Sequence, residues 1–138
     1  DVFFGETLIT DENGNEIGLR RLRPGKNFRW KSLRNGMLVS HQSFIVRRAL
    51  APEYKLKYKY AADFDWMVRC MAKARHVQST GLILSRFMDG GRTKQTIVPG
   101  LKERFRIMAG HYGLLPTALR HIPIAVRFFW FWGRNKRF

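Results

Sequence analysis

Ala61-Ala62-Asp63-Phe64-Asp65-Trp66-Met67-Val68-Arg69 is the stretch on which the fold is read. From about Ala62 to Arg75, Phe64, Met67, Val68 and Met71 recur at helical spacing and make one apolar stripe. On another face Asp65 and Arg69 stand four residues apart. Short apolar, β-prone runs lie on both sides: Ser43 to Val46 before it and Gly81 to Phe87 after it.

Working outward, Val2 to Thr10 is β-rich, and Asn13-Gly14 marks a tight turn. Glu16 to Leu22 is then the returning strand of a hairpin, broken by Pro24-Gly25. Phe28 to Arg34 reads as a short helix capped at Asn35-Gly36. Lys55 to Tyr60 alternates Lys with apolar residues, as in an exposed edge or loop. After Gly81 to Phe87 comes a loop at Asp89-Gly90-Gly91. Pro99-Gly100 punctuates the chain before a helix over Leu101 to Tyr112, with Leu101, Phe105 and Met108 on one face. Pro116 opens a last helix running towards Trp132.

Composition narrows the partners. In 138 residues, twenty-six Lys and Arg against ten Asp and Glu leave a formal charge of +16. Such an excess calls for an anionic partner: nucleic acid, anionic lipid or a phosphate-bearing substrate. Cys70 is the only cysteine, so no intramolecular disulfide forms, and a reducing compartment such as the cytoplasm is favoured. Asp1 to Gly5 read as mid-strand rather than as a signal peptide, and the expectation is a chain cut from something longer. No apolar run reaches the length of about twenty residues that spans a bilayer.

Asp63 and Asp65 fall at the start of the central helix, where free N–H groups and the helix dipole stabilise negative charge. An ionised carboxylate there suits a general base. The plainer reading makes Asp63 a helix cap and Asp65 the partner of Arg69. Scattered His41, His76, His111 and His121 show no metal-ligand spacing, and no nucleophile elbow, Walker loop or dinucleotide fingerprint is present.

The 61–69 segment resembles the acceptor-side signature of family 2 glycosyltransferases, in which an acidic pair, or a small residue and Asp, precedes an aromatic, Asp, apolar residues and Arg. Ala62 stands where many members have Glu. Val2 to Glu6, Asn35 to Arg48 with its His41-Gln42 pair, and Leu82 to Arg92 with its Gly-Gly loop resemble further segments of that family, in matching order. The resemblance covers about residues 1–95. It implies an α/β fold, a partial GT-A (Rossmann-like) domain with a mixed sheet fragment over 1–98, and the composition of 99–138 reads as a C-terminal helical, basic and aromatic tail.

It also implies an inverting transfer from a nucleotide-sugar donor to a saccharide or lipid-linked acceptor in cell-surface polysaccharide or glycolipid synthesis. Asp63 would be the catalytic base, with His41, Gln42, Asp65, Trp66, Arg69, Gly90, Gly91 and Arg92 around the substrates. A divalent cation, Mn or Mg, is expected in the intact enzyme on ligands mostly outside this chain. The nucleotide-binding half would be missing, leaving this piece inactive alone, with an unpaired sheet edge and an uncovered apolar face.

In the tail, Arg127, Phe128, Trp130, Trp132 and Arg134 combine aromatic and cationic side chains. That mixture suits a helix lying in an anionic membrane interface, which would place the protein at the inner face of the cytoplasmic membrane. Packing on the body of the enzyme is the other reading of the tail. Two alternatives for the whole chain stay open. One is a basic nucleic-acid-binding module that stacks bases on Trp30, Phe44 and Tyr58, although no nucleic-acid motif is present. The other is a non-catalytic peripheral membrane protein.

Overall fold

The computed structural model describes residues 1–89 and 97–135. The chain is mixed α/β. Strand β1 (Val2–Thr10) is the centre of a four-stranded sheet. One edge of β1 is shared by two antiparallel neighbours: β3 (Phe44–Val46) along its first half and β2 (Glu16–Leu19) along its second. The other edge pairs in parallel with β4 (Val77–Met88).

The hairpin follows its turn chemistry. Asp11 Oδ1 accepts the N–H groups of Asn13 and Asn15 at 2.9 and 2.8 Å, and Gly14 takes φ +85°, which glycine adopts without steric cost. On β1 the alternation is clear at the start: Val2 and Phe4 are buried, whereas Phe3 between them is exposed. Register shifts on either side of Glu6 then bring Thr7 and Leu8 inward together.

Helix α1 (Ala62–Lys73) lays its stripe on the buried face of the sheet. Phe64, Met67, Val68 and Met71 all join a cluster with Val2, Phe4 and Phe44, each large side chain contributing about 1.5–3 kcal/mol. A 3-10 turn over Trp30–Asn35, ending at Gly36 with φ +102°, stands where a short helix is expected.

Two element starts differ most from the sequence reading, and β2 stops at Leu19 rather than Leu22. Strand β4 starts at Val77, earlier than Gly81, because parallel pairing with β1 holds the polar run Gln78-Ser79-Thr80 extended. Helix α2 (Ile97–Tyr112) absorbs Pro99 and Gly100 in its first turn, where proline's missing N–H has no helical acceptor to lose. The inward residues of α2 are Ile107, Met108 and Tyr112, while Leu101 is exposed. Ile107, Met108 and Tyr112 share the core of the first 98 residues, so the division at 98/99 falls inside a helix that packs on the body. Helix α3 (Leu114–Asn135) follows after Gly113 at φ +91°.

Among the described residues β4 pairs only with β1, and Phe3 and Ile45, cross-strand partners, lie exposed side by side. Gly5 sits where β1 and β4 come closest: a Cβ there would stand 2.5 Å from the Leu82 carbonyl oxygen and 2.5 Å from Leu84 Cγ. Because the first of these is backbone, Gly5→Ala is expected to cost about 1–3 kcal/mol, read as a lower urea midpoint at unchanged slope. An unchanged midpoint would show that the strands separate freely at this point.

Candidate functional site

The site is built around the N-terminus of α1. The N-cap residue is Ala61, which has no side chain able to cap. Instead Glu103, reaching over from α2, accepts the backbone N–H groups of Lys59, Tyr60 and Ala61 at 3.0, 2.8 and 3.0 Å. This carboxylate takes the N–H groups that lead into the helix from another element, while Asp63 takes a first-turn N–H through one oxygen only. Partial burial works to raise the Glu103 pKa, but the three N–H donors outweigh it and hold the carboxyl below its ordinary value.

Asp63 and Asp65 are two apart on the helix and therefore point to different surroundings. The Asp63 side chain keeps 27% of its surface open, and its Oδ2 lies 3.3 Å from His41 Nδ1. Its Oδ1 accepts the Phe64 N–H at 2.7 Å. Burial pushes its pKa up, yet the His41 contact, the Phe64 N–H and the charge of Arg104 together hold it below the usual carboxylate value. The same contact raises His41.

Asp65, in contrast, has only 1% of its side chain exposed. Its Oδ2 accepts Arg69 Nε at 2.7 Å, and its Oδ1 faces His111 Nε2 at 3.1 Å and Lys55 Nζ at 3.5 Å. Burial again pushes up, and these three cationic or polar partners pull the carboxyl down below its ordinary value. Arg69 also donates to the Glu53 carbonyl oxygen at 2.8 Å. Asp65 and Arg69 therefore tie α1 to α2 and to the 53–55 loop rather than facing a ligand.

His41 is held in place by the residues that follow it. Ser43, buried, forms a hydroxyl cluster with Thr7 and Ser85: Thr7 Oγ1–Ser43 Oγ 2.8 Å, Ser43 Oγ–Ser85 Oγ 2.6 Å, Thr7 Oγ1–Ser85 Oγ 3.1 Å. Ser43 Oγ also lies 3.0 Å from the Glu6 carbonyl oxygen. The cluster pins the His41–Ser43 turn to β1 and β4 where Glu6 breaks the register. Gln42 is exposed and hydrogen-bonds through its side chain to Ser40 Oγ.

Trp66 lies beside this centre, donating Nε1–H to the Pro52 carbonyl at 2.8 Å. Its ring stacks on Tyr54, with centroids 5.5 Å apart and planes 1° from parallel. Tyr54 is exposed; burial of its hydroxyl and then the nearby Asp63 charge raise the phenol pKa. Gly90, Gly91 and Arg92 lie outside the described residues. Trp130 is exposed on α3, whereas the side chains of Arg127, Phe128, Trp132 and Arg134 lie outside what is described.

Sequence reasoning missed Glu103, Arg104, His111 and Tyr54. Only Glu103 carried a signal: it is the sole acid after Gly100 in a strongly basic tail. Trp30, Phe44 and Tyr58, the aromatics offered for base stacking, all pack against the core. A hollow lined by Lys26, Trp30, Arg75 and His76 lies apart from Asp63 and shares none of its neighbours named above. Among the described residues no three His, Cys, Asp or Glu side chains gather as a cation site, so the expected divalent cation finds no ligand set in them. No described helix is long and apolar enough to cross a membrane.

The two carboxylates should separate in a stability assay. Asp65→Ala removes the buried member of the cluster and leaves Arg69 and His111, both partly buried, without it, and is expected to cost about 2–3 kcal/mol. Asp63→Ala breaks a half-exposed pair and is expected to cost less than about 1 kcal/mol. Equal losses in urea titrations would remove the distinction.

The His41–Asp63 pair also carries a pH signature. His41 is raised in the folded state, so its contribution is present below about pH 6.5 and is lost as pH rises through its folded value. Asp63 is lowered, so its contribution is present above about pH 4 and is lost as pH falls through its folded value. The stability difference between wild type and His41→Gln should therefore peak from about pH 4 to 6.5. A difference that is flat with pH would show the two groups to be uncoupled.

No protein-family model, curated protein or solved structure matches this chain.

Proposed function

We propose that this chain is the acceptor-side part of an inverting, GT-A-type glycosyltransferase with Asp63 as its general base. The observation that carries the reading is the meeting of His41 and Asp63, 3.3 Å apart. They come from two separate segments, both marked by the resemblance to family 2 glycosyltransferases. Asp63 is ionised near neutrality and partly open to solvent, as a base must be to meet a hydroxyl group.

In the proposed reaction a carboxylate oxygen of Asp63 takes the proton from an acceptor hydroxyl. The freed oxygen attacks the anomeric carbon of a nucleotide-sugar from the face opposite the leaving group. The bond to the nucleoside diphosphate breaks as the new glycosidic bond forms, so the configuration inverts. His41 orients Asp63 and limits its rotation. The exposed ring of Tyr54, stacked on Trp66, offers a flat apolar face beside the base. Donor binding and any metal belong to residues other than those described.

The test is transfer by the enzyme that carries this chain, with a panel of nucleotide-sugars and Mn or Mg. Asp63→Asn should lower turnover by about 10²–10⁴-fold while leaving donor binding unchanged. Transfer at the wild-type rate would reduce Asp63 to the structural partner of His41.

A further inference from the structure

Among the described side chains of helix α3, five apolar ones lie on a face turned away from the body. Thr117 is buried, and His121, one turn on, meets the Phe105 ring edge-on at 4.9 Å, so the side bearing 117 and 121 faces α2. Leu115, Leu119, Ile122, Val126 and Trp130 follow at spacings of four, three, four and four, which sets them on one continuous stripe. All five are between 58% and 70% exposed.

The chemistry around the stripe selects what covers it. The 114–135 stretch contains no Asp or Glu, and Arg120, Arg127 and Arg134 recur in it at seven-residue intervals. Arg120 is exposed and donates to Asn35 Oδ1 at 2.9 Å. A second copy of the chain would bring another +16 charge against this one. A nucleic acid would match the charge but would leave a five-residue aliphatic and aromatic stripe in water. A surface that is apolar beneath and anionic above satisfies both at once.

We propose that α3 lies in the plane of an anionic phospholipid surface, with Leu115, Leu119, Ile122, Val126 and Trp130 inserted at the boundary between headgroups and acyl chains. Arginines of the same helix meet the lipid phosphates, and the helix does not cross the bilayer. This assignment rests on the exposed stripe and on charge, and it stands independently of glycosyl transfer.

Flotation of the chain with vesicles of mixed phosphatidylcholine and phosphatidylglycerol tests it, alongside vesicles of phosphatidylcholine alone. The wild type should float with the mixed vesicles and much less with the neutral ones, and added salt should weaken binding. Brominated acyl chains should quench tryptophan fluorescence, and Trp130→Phe should remove part of that quenching. The double variant Leu119→Glu, Val126→Glu, checked for native circular dichroism, should lose at least about tenfold in partitioning. Asp63→Asn should float like wild type, which separates this assignment from the catalytic one.

Absence of flotation with anionic vesicles would overturn the proposal. So would binding unchanged in the double variant, which would mean adsorption by charge alone. A wild-type dimer that the double variant converts to monomer would assign the stripe to a second copy instead.

Discussion

A carboxylate cut off from water governs how the helices sit. Asp65 is buried among Arg69 of its own helix, His111 of α2 and Lys55 of the preceding loop. A lone charge in that position would be costly, so the three partners must arrive together. Their arrival fixes the separation and roll of α1 against α2. Once α2 is so placed, Glu103 reaches the N–H groups of residues 59–61, and Arg104 comes within electrostatic range of Asp63. The accessible carboxylate thus depends on the buried one.

The second support lies under the sheet. The break in register around Glu6 turns Thr7 inward, where a hydroxyl has to find partners. It finds Ser43 and Ser85, which come from opposite sides of β1. This polar knot holds the His41–Ser43 turn at a fixed height above the helix. The imidazole therefore meets Asp63 through the geometry of the sheet, although residues 41 and 63 lie on different elements and share no local structure. The pair is set by two independent anchors, one polar and buried, the other ionic and buried.

Sequence was informative wherever the determining forces are local. Asp11 and Gly14 specify the hairpin because the turn's hydrogen bonds close within five residues. The stripe on α1 was legible because its period is that of the helix and its burial is complete. Leu101 misled on α2, because the inward face of that helix is chosen by the ion pairs and by Tyr112, whose hydroxyl donates to the Trp30 carbonyl at 3.0 Å, while Phe105 packs on His121 of α3. The early start of β4 was hidden because Gln78, Ser79 and Thr80 have no apolar pattern, and only the neighbouring strand makes them extended. For the site, Asp63 and His41 were visible separately. Their contact, the remote cap from Glu103 and the Tyr54–Trp66 stack all span different elements and left no local trace.

The contrast between the two aspartates and α3 reflects one rule applied at two scales. Where a charge is enclosed, as at Asp65, the fold supplies opposite charge and the group becomes structural. Where it is partly open, as at Asp63, an imidazole, a backbone N–H and the charge of Arg104 tune it, and one side stays open to solvent. Helix α3 is the apolar counterpart: among its described side chains Thr117 and His121 turn inward, whereas Leu119, Ile122 and Val126 face outward, and the helix has no acid. Apolar side chains left in water add nothing to folding, and a contiguous exposed patch of them marks a surface that another body covers. A helix that leaves these aliphatic side chains outside can still gain from burying them against a surface beyond itself, and a net charge of +16 favours an anionic one.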